Sequence, residues 1–161
     1  MDNKEMQDAV RIVDTIKQFK LEPKNALDIG SSRGYLMIKM ASEFNCKVDG
    51  IEPNLAYNQT SGDVFVDLKY APSGYDMITM IHTLEHVPYP VEFLKDAVSK
   101  LDDNGVAVIE VPSQHSPGGP MREAHLFYFQ PWTLHKVCWK AGLKLETMLN
   151  TPHLLVIGRK K

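Results

Sequence analysis

Ala26-Leu27-Asp28-Ile29-Gly30-Ser31-Ser32-Arg33-Gly34-Tyr35-Leu36 is the stretch whose reading decides the fold. A short apolar run carrying an acid near its end breaks into a turn of small residues. Leu36, Met37, Met40 and Phe44 then recur at helical spacing. This is the pattern of a buried strand feeding a tight turn into a helix. Gly30 and Gly34 let the backbone bend and present no Cβ to a ligand lying against it. The helix start beyond points free N–H groups at the same place. About twenty residues on, a second strand from Cys46 to Ile51 ends in Glu52. An acid there sits where a nucleotide-type α/β sheet holds a ribose diol.

The pattern extends in both directions. Upstream, Met6, Val10, Val13, Ile16 and Phe19 predict a helix over residues 4–20, closed by Pro23. This N-terminal segment, residues 1–22, has two placements open to it, as a lid over the ligand site or against the sheet edge. Downstream, a short helix fits after Glu52-Pro53-Asn54, before a third strand at Val64-Phe65-Val66 with Asp67 at its end. A fourth strand runs from Tyr75 to Ile81, and Pro88 and Pro90 set a helix over residues 90–102. Asp102-Asp103-Asn104-Gly105 reads as a turn into a fifth strand, Val106 to Val111, apolar enough to be buried on both faces. A loop rich in Pro, Gly and Ser follows over residues 112–125. Gln130-Pro131-Trp132 opens a last helix that Gly142 closes, and strands over 143–149 and 153–159 flank Pro152 as a hairpin. Strand alternating with helix means one α/β domain over residues 1–161, with a doubly wound, mostly parallel sheet. In such a sheet ligands bind beyond the C-terminal strand ends, where Asp28, Glu52, Asp67 and His82 fall on four successive strands.

Composition narrows the function. The chain has 161 residues, 43% of them hydrophobic, and a formal net charge of −2, so no basic surplus exists to displace counterions from a polyanion. A nucleic-acid partner is therefore not expected. Cys46 and Cys138 lie too far apart in sequence for a disulfide framework or a metal knuckle and read as buried thiols. The charged N-terminus has no apolar leader and no run is long enough to span a membrane, so the cytoplasm is the expected location.

Together these motifs resemble the class I S-adenosylmethionine-dependent methyltransferases, in the branch with the ubiquinone-pathway O-methyltransferases and tailoring enzymes. The resemblance runs from Lys24 to Gly158. The family's Asp-x-Gly-x-Gly-x-Gly turn is matched by Asp28 to Gly34, with Ser32 at the middle glycine, and its ribose acid by Glu52 in Gly50-Ile51-Glu52-Pro53. Its fourth-strand signature is matched by Tyr75-Asp76-Met77-Ile78 running into Leu84-Glu85-His86-Val87-Pro88. The resemblance implies a seven-stranded sheet ordered 3-2-1-4-5-7-6 with the last strand antiparallel and helices on both faces. It implies S-adenosylmethionine as cofactor and S-adenosylhomocysteine as product. Gly30, Ser31, Ser32, Arg33 and Gly34 would back the methionine and ribose, Glu52 with Pro53 would grip the ribose hydroxyls, and Asp67 or Asp63 would meet the adenine amino group. Asp28 and His82 complete the cofactor set. His86 is the first candidate for a base and His125 the second, for methyl transfer to O or N of a small molecule or glycan.

Other readings of the same residues are weaker. Gly30-Ser31-Ser32-Arg33-Gly34 also fits a hydrolase nucleophile elbow, but it follows the first strand and no His-Gly-Gly oxyanion segment accompanies it. His82-Thr83-Leu84-Glu85-His86 spells a His-x-x-Glu-His zinc motif, yet Pro88 and Pro90 leave little room for the helix that motif requires. No metal is expected on this ground. A nicotinamide dehydrogenase would need more chain for a substrate domain. A cofactor-binding module without transfer activity, acting as a partner or regulatory subunit, stands as the alternative to the enzyme. Asp76 is expected to close a turn or pair locally, His153 to be structural, and Arg122 to be a solvated loop residue or to meet an anionic substrate.

Overall fold

The computed structural model describes residues 3–54, 56–57, 61–116, 124–150 and 152–161. The expected short helix after Glu52 and the centre of the 112–125 loop, with Arg122, fall largely outside the described residues. The chain runs α1 (Asn3–Gln18), β1 (Asn25–Ile29), α2 (Tyr35–Phe44), β2 (Lys47–Ile51), β3 (Val64–Phe65), β4 (Tyr75–Ile81), α3 (Pro90–Ser99), β5 (Leu101–Val111), α4 (Pro131–Lys140), β6 (Leu143–Asn150) and β7 (Leu154–Lys160). The seven strands form one sheet in the order β3-β2-β1-β4-β5-β7-β6. Strands β1 to β5 pair in parallel, whereas β7 is antiparallel to both β5 and β6. This is the expected mostly parallel, doubly wound sheet.

Two apolar cores flank it. On one face Ile12, Val13 and Ile16 of α1 and Met37 and Met40 of α2 pack with Val48, Met77 and Val108 of the sheet. On the other, Leu94 and Val98 of α3 and Leu134 and Cys138 of α4 pack with Leu27, Ile78 and Ile109. The pattern that makes β1, β4 and β5 near-continuous apolar runs follows from this covering on both sides. Helix α1 thus lies on a face of the sheet, while its first turns reach the C-terminal strand ends.

Two local expectations are corrected. The segment Asp102-Asp103-Asn104-Gly105 does not separate a helix from a strand. β5 begins at Leu101, which pairs with Tyr75, and the next pair along is Met77 with Val106, so these four residues bulge out of a continuous ladder. The Asn104 N–H still donates to Asp102 Oδ1 at 3.1 Å, so the turn chemistry is present inside the bulge. Asp76 does not pair locally. Its Oδ2 accepts the backbone N–H groups of Lys24 and Asn25 at 2.8 and 3.1 Å and fixes the entry to β1.

Candidate functional site

The turn after β1 is lashed to its neighbour before it meets any ligand. The N–H groups of Gly30 and Ser31 both donate to the carbonyl of Ile51, at 2.9 and 3.0 Å, which draws the turn against the end of β2. Gly30 has φ +79°, and a Cβ there would stand 2.1 Å from Thr83 Oγ1. Thr83 in turn donates to the Ile29 carbonyl at 3.0 Å. Gly30 is therefore required by both backbone conformation and space. Ser32 occupies the left-handed region with φ +46°, at the position where the resembling family carries glycine.

The Ser32 backbone compensates by meeting Glu52. Its N–H donates to Glu52 Oε2 at 3.0 Å, while the Asn54 N–H donates to Oε1 at 2.8 Å. Each oxygen keeps a further lone pair, so the carboxylate is oriented and still able to accept. It faces a cavity of about 910 Å³, of the size that ligand sites occupy, whose wall also includes Gly30, Pro53, Asp67, His82 and His86. Ile29, Ile51, Val66, Leu68 and Phe93 supply its apolar surface. Asp67 is on that wall and Asp63 is not; Asp63 instead stands 3.4 Å from Lys47 Nζ. A smaller cavity of about 260 Å³ shares Gly30 and His82 and is lined by Asp28, Ser31 and Ser32, with Glu5 and Asp8 from α1. Arg33 lies on neither wall and places its guanidinium over the Tyr57 ring, and Gly34 sits at the start of α2 with φ +76°.

Asp28 is buried, and the Thr79 hydroxyl donates to its Oδ1 at 2.7 Å. Burial pushes its carboxyl up to about 6, against the opposing pull of that single hydrogen bond.

Beyond β4 lies a polar chain that the sequence did not reveal. Arg11 of α1 grips Glu110 with both terminal nitrogens, at 2.6 and 2.8 Å, and also donates to Asp8 at 2.8 Å. Glu110 Oε1 stands 3.3 Å from His82 Nε2, and the His82 ring packs edge-on against His153. His153 meets the Ser116 hydroxyl at 2.7 Å. Burial alone would lower the His82 pKa, but Glu110 and Glu85 on either side push it up to about 9. Burial would likewise raise Glu110, but His82 and Arg11 hold it at about 2. The one available signal was an acid at position 110 inside an otherwise apolar strand.

On the far side of His82 is Glu85, only 1% exposed, whose Oε1 lies 3.6 Å from His82 Nδ1 and 3.9 Å from His86 Nε2. The segment 82–86 is a single 3₁₀ turn over Leu84–His86. The two histidines of the zinc-like motif are therefore not set on one helix, as expected. His125 arrives from the other end of the long loop and stacks edge-on with His86, ring centres 5.0 Å apart. The structure thus brings both base candidates together, with His86 on the cavity wall and His125 packed against its ring.

Residues 3–148 match the family model of a methyltransferase domain. A tRNA U34 carboxymethyltransferase of Nautilia profundicola is 26% identical over 104 residues, 56% of this chain; the matched part is 35% of that protein's length. Among solved structures, a SAM-dependent methyltransferase from Archaeoglobus fulgidus superposes with a TM-score of 0.76 at 19% identity, covering 96% of this chain and 93% of that one. The 1,6-didemethyltoxoflavin-N1-methyltransferase of Burkholderia thailandensis, with its substrate and S-adenosylhomocysteine bound, gives a TM-score of 0.75 at 20% identity over 99% of this chain and 80% of that one.

Proposed function

The chain belongs to the methyltransferase-domain family, built on the class I fold whose methyl donor is S-adenosylmethionine, and we propose that it transfers that methyl group to an oxygen or nitrogen of a small molecule or glycan. The observation that carries this reading is Glu52, held by two backbone N–H groups with accepting capacity to spare at the rim of the 910 Å³ cavity. Such a carboxylate suits a ribose diol. Asp67 stands on the same wall to accept from an adenine amino group. The smaller cavity, with Asp28, Glu5 and Asp8, suits the ammonium of the donor's methionine end.

When bound, the donor supplies an activated sulfonium methyl. The chain's part is to align an acceptor with it, and alignment alone can provide most of the acceleration. His86 lines the cavity with Thr83, His125 packs edge-on against His86, and either imidazole can take the acceptor's proton where a hydroxyl must lose one. The net charge of −2 supports a small acceptor over a nucleic acid, although the carboxymethyltransferase relative is named for a tRNA.

Calorimetry with S-adenosylmethionine and S-adenosylhomocysteine tests the donor site. Glu52→Ala removes two hydrogen bonds to a charged acceptor, each worth about 1.5–3 kcal/mol, so cofactor affinity is expected to fall ~100-fold or more. Unchanged affinity would overturn the placement of the ribose. Tight binding with no turnover across a broad acceptor panel would favour the silent cofactor-binding module.

A further inference from the structure

Glu85 is almost fully buried, and neither of its carboxylate oxygens has a hydrogen-bond partner among the described residues. A carboxylate in that position is strongly disfavoured unless a cation compensates it. Among the described residues His82 is the nearest cationic group, but its Nδ1 stands 3.6 Å away and its other nitrogen is directed at Glu110. His86 and His125 also stand beside Glu85. One potential ligand atom from each of the three residues lies within 4.8 Å of the others. We propose that Glu85, His86 and His125 form a binding site for a first-row divalent cation beside the cavity that His86 lines.

The tautomer of His86 supports this. Its Nδ1 lies 2.7 Å from the carbonyl oxygen of Ala124, which can only accept, so Nδ1 carries the proton. In the neutral ring Nε2, the nitrogen nearer Glu85, then keeps its lone pair. Metal-ligating histidines are commonly fixed in this way, by a carbonyl on the other ring nitrogen. His125 is placed by its neighbours. Ala124 is tied to His86, and the N–H groups of Leu126 and Phe127 donate to the Glu85 carbonyl at 2.8 and 3.1 Å. The loop end is thus stitched to the 3₁₀ turn on both sides of the third ligand. Bonds of about 2.0–2.2 Å draw ligands closer together than they stand here. Small side-chain rotations of the two more exposed rings supply that closure.

A second group with metal-ligand chemistry, His82, Glu110 and His153, lies close by. It is less suited, because both oxygens of Glu110 are already taken by Arg11. Neither oxygen of Glu85 is taken in that way. Two imidazoles and one carboxylate leave coordination positions open, and His86 lines the cavity. The ion's role, though not its binding, rests on the methyl-transfer reading. With the ion bound, His86 and His125 act as ligands instead of bases, and a hydroxyl acceptor coordinated there loses its proton to solvent more readily. Its oxygen lone pair then forms the bond to the methyl carbon as the carbon–sulfur bond breaks, leaving the electron pair on sulfur.

The test uses the untagged full chain, stripped with chelator and titrated with Co²⁺ while visible absorption is followed, with Zn²⁺ as competitor. One Co²⁺ per chain is expected, displaced by Zn²⁺. Glu85→Gln and His125→Ala should each weaken binding at least 10-fold, and the surface control His135→Ala should not. Circular dichroism checks that the variants fold. His125→Ala, at a partly exposed position, keeps the test decisive if Glu85→Gln does not fold. No Co²⁺ uptake, or uptake unchanged in both variants, overturns the site. Calorimetry of the stripped protein with S-adenosylhomocysteine separates the two proposals. Cofactor binding without Co²⁺ binding refutes only the ion site, and the reverse refutes only the methyl-transfer reading.

Discussion

Asp28→Asn should make the cofactor-free protein more stable at neutral pH while impairing the donor site. Asp28 is buried at the end of β1, with the Thr79 hydroxyl bonded to one oxygen, and burial raises its pKa from 3.8 to about 6. Because the folded-state value is the higher one, the folded protein holds this proton more tightly than the unfolded chain. The contribution is fully present below pH 3.8 and is lost as pH rises through about 6. At 1.36 kcal/mol per unit, the ionised carboxylate destabilises the fold by about 3 kcal/mol at pH 7. Asparagine can still accept from Thr79 and does not titrate. Urea midpoints measured for both proteins from pH 4 to 7.5 give the difference in unfolding free energy at each pH. That difference should climb in favour of Asp28→Asn by about 2.5 kcal/mol and level off above pH 6.5. The cationic methionine end of the donor should favour the ionised carboxylate, so wild-type cofactor affinity should rise over the same window. A stability difference that stays flat from pH 4 to 7.5 would refute the reasoning.

The other predictions concern packing and pairing. Gly30→Ala places a methyl 2.1 Å from Thr83 Oγ1 at a positive φ, and should lower the thermal midpoint sharply. Adding Thr83→Ala should restore part of that loss but leave about 1–2 kcal/mol of backbone strain, and no restoration at all would show the clash to be irrelevant. Arg11→Ala leaves the buried Glu110 with only His82 and should cost about 2–3 kcal/mol in chemical denaturation. Arg11→Met with Glu110→Gln should recover more than half of it, and strictly additive losses would mean the two do not act as a pair. The Cys138 thiol is buried and pushed up to about 12, so a thiol reagent should label half-buried Cys46 first and reach Cys138 only on unfolding. Equal labelling rates in the native protein would contradict the packing of α4.

What was legible in the sequence, and what was not, divides along a physical line. The strand–turn–helix at residues 25–44 could be read because its requirements are local: an apolar run, two glycines and a helical repeat. The acids at strand ends could be read because a parallel sheet puts all such ends on one edge, so position along each strand already fixes which side the residue faces. Glu110 offered the same clue but was absorbed into an apolar run, since an acid in a buried strand makes sense only once its partner is known. That partner, Arg11, is 99 residues away on a helix whose placement the periodicity alone left open. Asp76 misled for a related reason: an acid after a turn looks locally satisfied, whereas its two N–H partners belong to residues 24 and 25.

The histidines show the limit most clearly. His82 and His86 stand one helical turn apart in sequence, and the prolines that follow rightly excluded a helix-borne zinc motif. That argument tests whether two ligands share an element and is blind to a third delivered by another segment. Here the backbone bonds from Leu126 and Phe127 to Glu85 bring His125 to His86, across a loop of which residues 117–123 lie outside those described. The residues proposed to hold the cofactor are thus set by local sequence grammar. Those proposed to meet the acceptor are set by long-range contacts, so acceptor chemistry has to be read from the packed structure.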